Sequence, residues 1–239
     1  GAYALAGNIG ACNIAFGYEA GKLGDGGHNF AVGRYALTNG GSTSNNIAIG
    51  ECAMRYGASG AGNNTALGKK TLHCAQSAVS NIAIGNEAGK RTTSGAYNVF
   101  LGHYSGNGNT GDVTGGCNIT IGKEAGKSIS SGGKNIFLGL QAGCLATTGS
   151  ENIALGQLAM GNAAVTGSHN FAVGNGAGYN ITSGTNNIFM GGAGYCNQTG
   201  SYNIFLGSGA GKCSTSTNDG IIIGRGAGRC NSSANNIFL

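Results

Sequence analysis

Apolar residues recur along this chain as runs of three, each bounded by Asn and Gly, as in Asn46-Ile-Ala-Ile-Gly50. Such a run is too short for a helix, and its β-branched residues favour a strand. Fourteen copies follow one another at spacings of 16 to 20 residues, which predicts one short strand per coil of a repeat structure. We therefore expect an all-β fold, a parallel β-solenoid of about 14 coils.

The repeat covers the whole chain, so residues 1–239 are predicted to form a single solenoid array. The sequence starts and stops within a coil, and no polar or helical cap is visible at either end. Bare strand edges recruit further strands. We expect either a segment of a longer array or a subunit that stacks head to tail.

Alternate residues of a strand point to opposite faces, so the first and third residues of each run share one face. Both columns are apolar almost throughout, and we expect them to fill the solenoid interior. The middle column would then point outward, although it too is apolar apart from Thr120. Since a strand apolar on both faces is buried on both, this column is predicted to pack against sister chains. Its aromatic members are Phe100, Phe137, Phe189, Phe205 and Phe238.

An Asn precedes the run in thirteen of the fourteen copies, and Gly220 takes its place in the other. Stacked Asn side chains can hydrogen-bond from coil to coil as a ladder. Alternatively, Asn is there because it tolerates the turn conformation before the strand. The candidate ladder comprises Asn13, Asn29, Asn46, Asn64, Asn81, Asn98, Asn118, Asn135, Asn152, Asn170, Asn187, Asn203 and Asn236.

Composition narrows the choice of partners. The chain has 13 Lys and Arg against 8 Asp and Glu, and the basic residues are scattered, which argues against a nucleic-acid-binding stripe. Gly or Asn interrupts every apolar run well before the roughly 20 residues of a transmembrane helix, so no membrane insertion is expected. The 50 glycines do not fall at every third position, which excludes the collagen pattern.

The phrases Asn46-Ile-Ala-Ile-Gly50, Asn81-Ile-Ala-Ile-Gly85 and Asn152-Ile-Ala-Leu-Gly156 resemble the head repeats of the YadA-like trimeric adhesins and related repeats of phage tail fibres. The resemblance implies a left-handed parallel β-roll, three chains side by side and a role in surface attachment. It places the protein outside the cell, on a cell surface or on a virion. The period here is longer than in that family, and Ala-Gly stands where the family tends to have Ser-x-Ala.

Eight cysteines stand apart from the repeat, and three of them recur at 17-residue steps, at Cys196, Cys213 and Cys230. Residues of adjacent coils stack about 5 Å apart, within the range of a disulfide. Cys213 and Cys230 are therefore a candidate pair. The remaining cysteines could pair between chains or stay free and buried, and the absence of Cys-x-x-Cys spacing argues against a metal site.

Three Asn-x-Ser/Thr sequences lie in the variable arcs and could accept a glycan in a secretory pathway, at Asn180, Asn197 and Asn231. The other Asn-x-Ser/Thr sequences are attributed to chance, because the chain is rich in Asn, Ser and Thr. Asn118, for example, lies in the candidate ladder, where a glycan would clash.

No catalytic site is predicted, because the eight acids and four histidines do not converge. Glu19, Glu87 and Glu124 each stand three residues before a Lys, a spacing typical of a solvated corner. An enzymatic alternative is the class of hexapeptide-repeat acyltransferases. It is disfavoured because only one hexad per coil matches their repeat, as in Ile84-Gly-Asn-Glu-Ala-Gly89. Ice binding would need Thr-x-Thr columns, and neither Thr92 nor Thr147 starts one. No cofactor is expected.

We therefore expect a structural protein, a rigid solenoid rod within an extracellular filament, a surface appendage or a phage tail fibre. The alternative is an adhesin whose arcs bind surface carbohydrate. The longest period, between Asn98 and Asn118, carries Tyr104, Asn107, Asn109 and Asp112 and is the first place to look for such recognition, although a plain insertion is the better explanation of its length.

Overall fold

The computed structural model describes residues 1–39, 41–58, 60–231 and 233–239. It comprises two compact units, Gly1–Asn118 and Ile119–Leu239. Each unit is a parallel β-solenoid with one short strand per coil, so the predicted fold class is confirmed. The described residues include no helix, and hence none that is long and apolar enough to cross a membrane. That the two units form one uninterrupted array stays a prediction.

The strands follow the repeat phrase. The first unit contains β1 (Ile14–Phe16), β2 (Phe30–Val32), β3 (Ile47–Ile49), β4 (Thr65–Leu67), β5 (Ile82–Ile84) and β6 (Val99–Leu101). The second contains β7 (Ile119–Ile121), β8 (Ile136–Leu138), β9 (Ile153–Leu155), β10 (Phe171–Val173), β11 (Ile188–Met190), β12 (Ile204–Leu206), β13 (Ile221–Ile223) and β14 (Ile237–Phe238). Within each unit every strand pairs in register with the next, so equivalent residues form columns, as Ala31 does with Ala48.

The orientation predicted for the strands is wrong. The middle residue of each strand points into the solenoid, and the first and third residues point out of it. Four of the aromatic middle residues predicted to contact sister chains are core residues instead, because Phe100, Phe137, Phe189 and Phe205 are fully buried. Phe238 in β14 is 36% exposed, and its contact with sister chains stays a prediction. The physical reason is the two-residue period of a strand, because the buried Asn that precedes each strand lies on the same side as the middle residue.

In most coils the large core residue comes from one of two columns. One is the middle column of the strands; the other is the fourth residue after the Gly that closes each strand. Where the strand supplies Ala, as at Ala31 and Ala154, the turn supplies Leu37 or Met160, and all four side chains are buried. Where the strand supplies Phe137, the turn has Gly143, and a Cβ there would lie 2.6 Å from Phe137 Cδ2. In these coils one large residue fills the narrow interior, whereas the coils of β1, β5, β7 and β10 have a small residue in both columns.

The Gly that ends each strand is required by backbone geometry. At Gly50, φ is 133°, a region that L-residues rarely adopt. A Cβ at the same position would also lie 2.4 Å from the carbonyl oxygen of Gly68 in the next coil. Positive φ and close stacking thus both exclude any larger residue, which explains why every complete repeat has glycine here.

Candidate functional site

The outward face of the strands is the largest apolar feature of each unit. In the first unit, Ile82 and Ile84 of β5 are 45% and 40% exposed, and in the second, Ile188 and Met190 of β11 are 37% and 41% exposed. The equivalent residues of the other strands are aliphatic or aromatic except Thr65. We call the surface formed by the first and third residues of the strands the strand face. It carries no charged side chain in either unit.

The strand face is also large. A three-residue strand is about 10 Å long and neighbouring strands lie about 4.8 Å apart, so the eight strands of the second unit present roughly 10 by 34 Å of apolar surface before side-chain relief is counted. The largest continuous apolar patch on a single chain is often a functional surface. The strand face is therefore the leading candidate for a functional surface.

A buried Asn ladder lies directly behind the strand face. The Oδ1 of Asn81 accepts hydrogen bonds from the backbone N–H of Asn98 at 2.9 Å and from its Nδ2 at 3.0 Å. The Nδ2 of Asn81 in turn donates to the carbonyl of Gly95 at 2.9 Å. The same bonding recurs in the second unit, where Asn187 donates to Asn170. Each Asn therefore ties its own coil to the next.

The ladder explains the Asn column better than turn preference does. Positive φ in each coil falls on the residue before the ladder position, such as Asn63 at 57° and Glu151 at 57°, rather than on the ladder Asn. Asn is thus needed for its amide group. At Gly220 the backbone N–H still donates to Asn203 Oδ1 at 2.9 Å. Glycine has no side-chain amide to accept a hydrogen bond from the next coil, so the ladder is interrupted there.

The cysteines stack as expected without being joined. All eight are free thiols, and the side chains of Cys213 and Cys230 lie close enough to interact across neighbouring coils. This contact is the main cause that raises the pKa of Cys230. Burial raises the pKa of Cys74 and of Cys144. The Cys213–Cys230 disulfide stays a prediction.

The candidate glycosylation sites differ in accessibility. Asn197 is fully buried, so its assignment as a glycan acceptor is wrong. The shortened turn after β11 brings it into the core, where its amide nitrogen would lie only 2.6 Å from a Cβ on Gly200. Asn180 is half-buried and accepts a hydrogen bond from Asn162 at 2.8 Å. Asn231 is half-buried as well, but Ser232 of its sequon lies outside the described residues.

The long arc between Asn98 and Asn118 is packed against the preceding coil. Asn107 is buried and donates through Nδ2 to the carbonyl of Glu87 at 2.9 Å. Asp112 forms an ion pair with Arg91 at 2.8 Å. Of the residues proposed for recognition, Asn109 and Asp112 are exposed and Tyr104 is half-buried. Because Asn107 is buried, the four do not form one exposed surface.

Charged residues form pairs at the turns. The three predicted Glu–Lys pairs are ion pairs three residues apart, with Glu87 and Lys90 3.0 Å from each other. A hydrogen bond from Gln141 lowers the pKa of Glu124, and a hydrogen bond from Lys134 lowers that of Glu151. Among the described residues, no three His, Cys, Asp or Glu side chains are grouped so that they could hold a metal ion.

Burial lowers the pKa of His73 to about 4, with Lys90, Arg55 and Lys70 adding to the effect. The unfolded state therefore binds a proton first as pH falls, and the free energy of unfolding should decrease between about pH 6.5 and pH 4. Because the side chain is half-exposed, we expect a loss of about 1 kcal/mol. Urea unfolding at several pH values measures it.

His73→Asn is the matched variant, because Asn107 occupies the same place in its own coil. The variant should lack the slope between pH 6.5 and pH 4. Carboxylates such as Glu51, whose pKa is lowered by its hydrogen bond with Lys69, add their own loss only from about pH 4.5 downward, and they do so equally in both proteins. An equal slope in both proteins would contradict the assignment.

Comparisons with protein-family models, with curated proteins and with solved structures found no match to this chain.

Proposed function

We propose that the protein is a structural fibre component whose strand face is covered by copies of the same chain. The observation that supports this is the orientation of the strands: their middle residues already fill the core, and the first and third residues remain apolar and exposed in a single chain. A sheet face that exposes this many apolar side chains tends to associate with another apolar surface.

Copies of the chain suit this face because it is repetitive. Successive strands present near-identical residues in register, so a symmetric partner can repeat one contact at every coil. The resemblance to trimeric adhesin heads favours three chains side by side. It is also the basis for proposing an extracellular, cell-surface or virion location.

The mechanical role follows from the bonding inside each coil. Parallel strand pairing and the Asn ladder connect each coil to its neighbours, and the side chains that link them are buried. Such contacts resist local opening and proteolysis. We propose that the assembly acts as a stiff spacer rather than as an enzyme.

Substituting two residues of the strand face tests the proposal. Ile82→Lys combined with Ile84→Lys should convert the assembled protein to single chains at micromolar concentration, because each copy would bury unpaired charges at the interface. Both side chains are exposed in the single chain, so its secondary structure should persist. Sedimentation velocity and circular dichroism measure the two effects.

Tyr97→Lys is the control. Tyr97 is 64% exposed and lies outside the strand face, and Lys134 occupies the same place in its own coil. This variant should sediment like the unaltered protein. Dissociation by Tyr97→Lys, or continued assembly of the double variant, would refute the role of the strand face.

A further inference from the structure

A cationic groove lies in the turns that follow β12 and β13. It is lined by Ser208, Gly209, Lys212, Arg225, Gly226 and Arg229, and its volume is about 380 Å³. Lys212, Arg225 and Arg229 are exposed, and no ion pair among the described residues includes any of them. We call these six residues the turn groove.

The same place in other coils contains an internal anion. The second residue after the Gly that closes a strand is Glu19, Glu87 or Glu124 in three coils, and its carboxylate lies 3.0 to 3.7 Å from a Lys three residues on. These pairs show that a Lys at this position binds a carboxylate.

The coils of β12 and β13 keep the cation and lack the carboxylate. Lys212 and Arg229 occupy the Lys position, whereas Gly209 and Gly226 occupy the Glu position. A Cβ on either glycine would meet nothing within 4 Å, so the space of the Glu side chain is open. Arg225 adds a third positive charge to the same groove.

We propose that the turn groove binds an oxyanion ligand, one that carries sulfate or carboxylate groups about 5 Å apart, the spacing of adjacent coils. The ligand's anionic groups take the places that the Glu carboxylates occupy elsewhere, beside Lys212 and Arg229. Arginine binds carboxylate and sulfate oxygens through two parallel hydrogen bonds, and lysine binds them as a point charge. The groove lies in the turns, outside the strand face, so the proposal does not depend on assembly.

The chain offers its own blocking variant. Gly226→Glu restores the internal carboxylate, and the backbone tolerates it, because Gly226 has φ of 72° and Glu87 has 56° at the equivalent position. Gly226→Gln is the uncharged match, since Gln141 occupies this position in its coil with φ of 56°. Both variants keep all three cations.

Isothermal titration calorimetry at low salt would compare four probes: sodium sulfate, a heparin hexasaccharide, an oligogalacturonate and neutral maltohexaose. We expect the anionic probes to bind the unaltered chain, and Gly226→Glu to weaken that binding at least tenfold, with less than a threefold effect of Gly226→Gln. The two saccharides should bind more tightly than free sulfate, because only they carry several anionic groups, and binding of free sulfate alone would contradict the proposed ligand. Failure of every anionic probe to bind, equal binding of maltohexaose, or equal effects of the two variants would overturn the proposal.

Discussion

Phe137→Ala is expected to lower the free energy of unfolding by about 3–5 kcal/mol, the range for removing a fully buried phenylalanine from a core. The ring of Phe137 is the one large buried side chain of its coil, and the turn opposite it has only Gly143. Urea unfolding followed by circular dichroism measures the loss, and Leu140→Ala, which truncates an exposed side chain of the same coil, should cost far less.

The core pattern also predicts how to repair this loss. Gly143→Leu alone should be destabilising, because its Cβ would lie 2.6 Å from Phe137 Cδ2. Combined with Phe137→Ala, it recreates the natural arrangement of Ala31 with Leu37, whose φ of 51° is close to the 56° of Gly143. We expect the double variant to recover most of the stability. Additive losses would contradict the exchange of bulk between strand and turn.

Asn152→Ala should cost about 2–5 kcal/mol, because it leaves two buried backbone groups without partners. The Oδ1 of Asn152 accepts from the backbone N–H of Asn170 at 3.0 Å, and its Nδ2 donates to the carbonyl of Gly167 at 2.9 Å. All of these groups are in the interior, where water cannot replace the lost bonds. Thermal and urea unfolding measure the effect.

Asn236→Ala is the matched control for the ladder. Its Nδ2 donates to the carbonyl of Ser233 at 3.0 Å, and the side chain is only half-buried. It follows Gly220, where the ladder is interrupted, so the variant should cost less than about 1 kcal/mol. Equal losses for Asn152→Ala and Asn236→Ala would mean that the column contributes through something other than its buried hydrogen bonds.

The repeat phrase was enough to predict the fold class and the strand positions. The phrase keeps its length while the arcs vary, and that is the pattern of a coil whose strand must stack. The orientation of the strands was missed, although the Asn column carries the information. A buried Asn46 requires Ala48, two residues on, to point inward too, and therefore requires Ile47 and Ile49 to point outward.

The sequence also contained a second signal. In many coils the middle residue of the strand and the fourth residue after its closing Gly differ in size, one being large where the other is small. Ala66 is accompanied by Leu72, whereas Phe205 is accompanied by Gly211. Such complementary sizes identify two positions that share one interior. Nothing in the local sequence distinguished Asn197 from Asn180, because the burial of Asn197 depends on a one-residue shortening of its turn and on the neighbouring coils.

The mass of the unaltered protein in solution tests the proposed function most directly. Sedimentation equilibrium at micromolar concentration should give about 70 kDa, three times the 23.5 kDa of one chain. That result would mean that the strand face is covered by two further copies. A folded protein that sediments at 23.5 kDa over the same concentrations would contradict the account, because its apolar strand face would then be exposed to water.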